Sequence, residues 1–128
     1  MNDRVKRKLG NYFGLTNFGI NLTTSQSGGI SALKHYHSQQ DEFIYILEGV
    51  ATLIYGDREY VMEEGDCIGF KAGENIAHQL VNNSSEIVRY LEIGDRSQDD
   101  QVNYPDDDLQ AKLNQYGNWQ FSHKDGNP

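Results

Sequence analysis

The punctuation of this chain limits its fold class more than any other feature. From Tyr12 to Gly94 it reads as short runs, among them "EFIYILEG", "VATLIYG", "REYVME", "DCIGF", "AHQLVN" and "IVRYLEIG". Turn-forming residues separate them at Gly56-Asp57, Glu64-Gly65-Asp66, Ala72-Gly73 and Asn82-Asn83. Runs this short, with apolar residues alternating within them, predict strands rather than helices. "NFGINLTTS" and "ISALKHYH" precede them across Gly28-Gly29. Many short strands at close spacing predict an all-β sandwich or barrel. Eight Tyr, five Phe and 13 Gly against two Pro fit the same expectation. A length of 128 residues suits one domain with a real core.

The flanks differ in composition from this central region. Residues 1–11 read as an N-terminal arm, 12–94 as the barrel and 95–128 as a C-terminal extension. The arm holds the one basic cluster, "RVKRK" from Arg4 to Lys8, read as a solvated terminus. In the extension, "DRSQDDQVNYPDDD" reads as an acidic connection. "PDDDLQAKL" predicts a short helix, with Asp106 to Asp108 in its first turn and Leu109 and Leu113 stacked at i and i+4. No EF-hand spacing follows the Asp run, so a helix start or solvated loop is preferred to a calcium site. "LNQYGNWQFSH" predicts a terminal hairpin turning at Gly117-Asn118, with Trp119 and Phe121 on one face.

A formal net charge of −8 argues against nucleic acid or an anionic membrane as partner, because phosphate polymers and anionic headgroups need clustered Lys and Arg. Cys67 is the only cysteine. It forbids an intramolecular disulfide and a thiolate-rich zinc site, and reads as a small buried hydrophobe. No signal peptide and no bilayer-length apolar run is visible, which makes the cytoplasm the default location.

The chemistry concentrates in "LKHYHSQQDEFIYILEGVATLIYGD", Leu33 to Asp57. One residue, Tyr36, separates His35 from His37, so on a strand both imidazoles share a face. Glu42 opens the next run, where Ile44 and Ile46 share its face. A carboxylate buried there alone would be costly, so a cation beside it is the simpler account. His78 in "AHQLVN" is a further imidazole, whereas His123 beside Lys124 reads as surface. Imidazoles with a carboxylate suit one divalent ion of Fe, Mn, Ni, Zn or Cu, and four protein ligands on an octahedral ion leave positions for substrate or water.

The stretch from Gly29 to Gly49 runs G-x5-H-x-H-x4-E-x6-G and resembles the first sequence motif of the cupin superfamily. "GDCIGFKAGENIAHQLVN", with Gly65, Gly73, His78 and Asn82, resembles the second. Two departures stand out: Lys71 where the second motif usually has Pro, and four residues between Gly73 and His78 where the common pattern has two. The tail is similar to that of small single-domain cupins. The resemblance implies a double-stranded β-helix, a jelly-roll barrel with the metal inside it. By position it assigns His35, His37, Glu42 and His78 as the metal ligands.

Two functions are open on this reading. The first is a metal-dependent enzyme, of isomerase, lyase or dioxygenase type, acting on a small polar molecule such as a sugar derivative or organic acid. The second is a non-catalytic, metal-dependent binding or sensing module. Lys71 and Glu74, with Asn75, are the candidate catalytic groups, because they stand on the turn that leads to His78. The pocket is expected between Ile44, Ile46 and this turn. A homodimer is expected through the outer strands, with Tyr45, Tyr55, Tyr60 and Tyr90 on outward faces.

Overall fold

The computed structural model describes residues 4–31, 34–96, 100–107, 109–113 and 119–124. It is built of antiparallel sheets. Strands β1 (Arg4–Lys8), β2 (Phe18–Ser25), β9 (Val88–Asp95), β4 (Glu42–Glu48) and β7 (Cys67–Phe70) lie in that order in the largest sheet. A second sheet joins β12 (Trp119–Ser122), β11 (Leu109–Leu113), β10 (Gln101–Tyr104) and β3 (Tyr36–His37). The third joins β6 (Arg58–Met62), β5 (Ala51–Tyr55) and β8 (His78–Val81). A short 3-10 turn, Leu9–Phe13, leads from β1 toward β2. Among the described residues no helix is long and apolar enough to cross a membrane.

Alternation along the strands sorts core from surface. On β4, Ile44 and Ile46 are buried while Phe43, Tyr45 and Leu47 are exposed. Ile44, Ile46, Phe70, Val88 and Tyr90 of the first sheet pack with Ala51, Leu53, Met62 and Leu80 of the third. These side chains form a closed core between those two sheets; each large one contributes roughly 1.5–3 kcal/mol by leaving water. The first and second sheets instead enclose a cavity of about 620 Å³, which opens beyond Ile44. One half of the barrel is filled and the other is hollow.

The connection from β4 to β5 depends on Gly49. Its φ is +87°, and a Cβ there would run into the Ile87 carbonyl. The second hairpin turns at Gly56, with φ +64°, and Asp57, as its sequence indicates.

Several expectations are corrected. Residues 109–113 form strand β11, not a helix: Ala111 is buried and pairs with Val102 on one side and Phe121 on the other. Leu109 and Leu113 are four apart, which suits one helix face, but with Ala111 they also fit a strand's period of two. The short segment satisfies both patterns, and pairing to β10 decides between them. The terminal hairpin expectation holds in that β11 pairs β12 antiparallel, while Gly117-Asn118 lies outside the described residues. Trp119 and Phe121 both line the cavity. Cys67 is exposed rather than buried, because it pairs with Tyr45 on the outward face. Tyr90 is buried in the core, 1% exposed, rather than facing outward. "RVKRK" is edge strand β1, paired to β2 along its whole length.

Candidate metal centre

The site lies where the three sheets meet. An isolated bridge pairs His35 with His78, the two backbones exchanging bonds of 3.1 and 2.8 Å. Their side chains therefore emerge side by side, with ring centroids 4.7 Å apart. His37 follows on β3, held by the pairing of Val102 with His37, and its ring lies 5.2 Å from that of His35. Glu42 starts β4 and pairs with Gly94 on one side and Phe70 on the other. The turn of residues 72 and 73 is tied to β3 by the Gly73 N–H, which donates to the His37 carbonyl at 2.9 Å.

All three imidazoles turn Nε2 toward the Glu42 carboxylate. His78 Nε2 lies 2.9 Å from Oε2 and His35 Nε2 3.6 Å from Oε1, while His37 Nε2 is in close contact with Oε1. Ligand atoms of His35, Glu42 and His78 all fall within 4.8 Å of one another. Burial would raise the Glu42 carboxyl, but bonds from the three histidines outweigh it and hold the group far below the usual carboxylate range. His78 is lowered, chiefly by burial, and stacks flat on Phe70 with centroids 3.6 Å apart.

Sequence reasoning missed Asp100, which immediately precedes β10. Its side chain is fully buried, and Oδ2 lies 2.6 Å from His37 Nδ1. Oδ1 accepts the backbone N–H groups of Gln39 at 2.7 Å and Gln40 at 3.0 Å. Burial would raise this carboxyl too, yet His37 and those N–H groups keep it low. Burial alone would lower His37, but Asp100 and Glu42 push it up to about 9. An aspartate on Nδ1 fixes the ring's orientation and leaves Nε2 to face the cluster, the usual support of a metal-binding histidine.

The donor set of His35, Glu42 and His78, two imidazole nitrogens and a carboxylate brought together, fits a divalent ion, and His37 adds its Nε2 against the same carboxylate with Asp100 behind its ring. The buried Nδ1 of His78 has no protein partner among the described residues. With the ring's single proton on Nδ1, Nε2 keeps its lone pair to face a cation.

The cluster opens into the large cavity, which His35, His37, Glu42, Ile44 and His78 help to line. Ile46 is fully buried and stands away from it. The first sheet also presents Arg4, Lys6, Lys8 and Glu92 to this cavity, with Arg96 just beyond β9. The extension supplies Tyr104, Ala111, Trp119 and Phe121. Tyr104 packs against His35 with centroids 5.8 Å apart, and burial together with the Glu42 charge raises its phenol. Lys71, Glu74 and Asn75 stand elsewhere, around a crevice of about 10 Å³ on the other side of His37 and His78. That crevice has room for no more than about one water molecule. Glu74 there receives a 3.4 Å hydrogen bond from the Tyr55 hydroxyl. His123 is exposed, away from both.

A barrel of antiparallel strands with this His and Glu cluster inside it defines a class, and comparison with known proteins gives the same one. Residues 21–94 match the Cupin domain family, and the chain belongs to it. It is also similar over its full length to a sugar phosphate isomerase of the cupin superfamily from Silicibacter pomeroyi, with 38% identity, a TM-score of 0.94 and 81% of that chain covered. A provisionally named sugar phosphate isomerase from Acidithiobacillus ferrooxidans is 32% identical, with a TM-score of 0.86, over 94% of this chain and 76% of that one. A polyketide cyclase from Streptomyces resistomycificus is 25% identical, with a TM-score of 0.63, over 73% of this chain and 65% of the other. No curated protein matches the chain. The fold therefore accommodates different chemistries, and the site has to choose among them.

Proposed function

We propose that this cupin is a metal-dependent isomerase acting on a sugar derivative, with His35, His37, Glu42 and His78 holding one divalent ion. The observation that carries the reading is the position of Glu92. It faces the same cavity as the cluster but does not belong to it. Glu42 pairs with Gly94, so Glu92 is its diagonal neighbour on β9, with Cα atoms roughly 7–8 Å apart. Glu92 Oε1 is held by Lys6 at 3.3 Å and Asn21 Nδ2 at 3.4 Å, which leaves Oε2 to the cavity. The likeness to two structures described as sugar phosphate isomerases favours isomerisation over other cupin chemistries.

A bound divalent ion supplies Lewis acidity toward a carbonyl or hydroxyl oxygen. The chain's own groups carry the proton. Glu92 takes the proton from the carbon beside the carbonyl, and the electron pair forms a carbon–carbon double bond while the carbonyl oxygen takes a proton from water and becomes a hydroxyl. Returning the first proton to the former carbonyl carbon, as the neighbouring hydroxyl gives its own back to water, completes the exchange of aldose for ketose. Tyr104, kept protonated by burial and by Glu42, donates a hydrogen bond to a sugar oxygen. Trp119 and Phe121 give the sugar ring or chain an apolar wall. In this reading Lys71 and Glu74 lie behind the ligands, and proton transfer belongs to Glu92.

The outer face of the first sheet suits a second copy of the chain. Tyr45, Leu91 and Leu22 form one outward row, and Phe43, Ile93 and Ile20 the next. Tyr45 and Phe43 are 37% and 36% exposed, an apolar strip that a homodimer would cover.

The test offers metal-loaded and chelator-treated protein a panel of aldoses, ketoses and their phosphates, followed by NMR. Aldose–ketose conversion that requires metal supports the proposal. Saturable binding with no conversion of any member would refute it in favour of a binding module.

A further inference from the structure

The cavity wall at β1, three strands along the sheet from Glu42, is basic in a chain whose net charge is −8. Arg4, Lys6 and Lys8 occupy alternate positions on β1 and face the cavity, where Arg96 joins them from just beyond β9. Two carboxylates, Glu92 and Asp95, share that end of the cavity with these four cations. Two of the cations are oriented by neutral partners. Arg4 donates to the Ser31 carbonyl, and Arg96 reaches Asn11 Oδ1 at 3.1 Å and the Leu15 carbonyl at 3.5 Å. Lys6 pairs with Glu92, and Lys8 has no partner among the described residues. Four cations gathered against two carboxylates leave a net positive end, an arrangement that an anionic ligand relieves.

The register also gives a length. Three strand spacings, roughly 14 Å, separate β1 from β4, where Glu42 sits. Long Lys and Arg side chains reach back across much of that interval. What remains between the cationic tips and the cluster is a span suited to an open-chain sugar with an anion at its far end.

We propose that the inward face of β1, with Arg96, is a phosphate-recognition subsite, and that the substrate is a sugar phosphate monoester. Its phosphate rests on Arg4, Lys6, Lys8 and Arg96, and its carbonyl end reaches the His and Glu cluster. Arg supplies forked donors to phosphate oxygens and Lys a compact charge. Glu92, paired to Lys6, then lies between the two ends of the substrate, beside the carbons that exchange a proton. The orientation of the carbonyl end rests on the isomerase reading; the phosphate subsite itself does not.

The experiment is calorimetric titration of the full metal-loaded chain with three probes: an aldose phosphate, the same aldose without phosphate, and inorganic phosphate. Lys8→Ala, Lys6→Ala and the conservative Lys8→Arg are titrated alongside. Lys8 is exposed and has no side-chain partner among the described residues, and β1 is held through its backbone, so these variants should keep their fold and metal content. The aldose phosphate should bind much more tightly than the bare aldose, with inorganic phosphate between or below. Lys8→Ala and Lys6→Ala should each weaken the monoester by about tenfold or more, with Lys8→Arg near wild type. Equal binding of aldose and aldose phosphate, or Lys variants that bind the monoester as wild type does, would overturn the subsite. Inorganic phosphate binding as tightly as the monoester would mean a site for the free anion and would overturn the sugar phosphate assignment. Because the phosphate dependence of binding is read whether or not the monoester is converted, a protein that binds the monoester but does not isomerise it refutes the isomerase reading alone.

Discussion

Replacing Asp100 by Asn separates the support of the metal centre from the support of the fold. The substituted amide would keep an oxygen to accept the Gln39 and Gln40 N–H groups, which Asp100 now holds at 2.7 and 3.0 Å. Loss of the charge weakens those bonds, at a cost of about 1–2 kcal/mol of stability. The larger change falls on His37, whose Nδ1 lies 2.6 Å from the other oxygen. An amide N–H there asks Nδ1 to accept, which moves the ring proton to Nε2, the atom that should face the ion. Metal affinity should fall tenfold to a hundredfold, about 1.4–2.7 kcal/mol. Asp100→Ala would instead remove the acceptor of two part-buried N–H groups and cost roughly 1–3 kcal/mol of folding stability. Competition against a chelator gives the affinity, thermal melting gives the stability, and nitrogen NMR of His37 reports the tautomer. If Asp100→Asn bound metal within about threefold of wild type, the histidine–aspartate pair would not orient a ligand.

Three further outcomes are expected. His35→Ala, His37→Ala and His78→Ala should each remove most of the bound metal, while His123→Ala should leave it unchanged; metal analysis after gel filtration decides. In the metal-free protein, His37 is raised from its ordinary value to about 9, so its charged form stabilises the fold below the ordinary histidine range and that contribution is lost as pH rises through about 9. Metal binding at Nε2 must expel that proton, so chelator-buffered affinity should climb as pH rises toward about 9, with proton release visible in weakly buffered titrations; a flat profile would contradict the pairing. Light scattering should give a dimer that Tyr45→Glu dissociates, and a wild-type monomer at micromolar concentration would remove the proposed interface.

The strands were legible because turn residues punctuate them and because one face of each must leave water. His35, His37 and Glu42 were legible for a related reason: the period of two places both imidazoles on one face, and the register of Ile44 and Ile46 shows that Glu42 points inward. Asp100 carried no comparable signal. Its role comes from β10 pairing with β3, a contact between segments far apart in the chain, and no local pattern announces it. The alternation Arg4, Lys6, Lys8 was present in the sequence and would have identified one strand face. Charge density alone favoured a solvated arm, since nothing local showed that β2 would take up the edge. Leu109 and Leu113 misled because so short a segment cannot tell a helical repeat from a strand repeat.

The central claim is that three histidines and Glu42 hold one divalent ion at the floor of the cavity. It is tested most directly by anomalous scattering from crystals grown with manganese or cobalt. One peak is predicted, ligated by Nε2 of His35, His37 and His78 and by the Glu42 carboxylate. A fully metal-treated crystal with no peak there, or with its peak bound by other residues, would contradict the account.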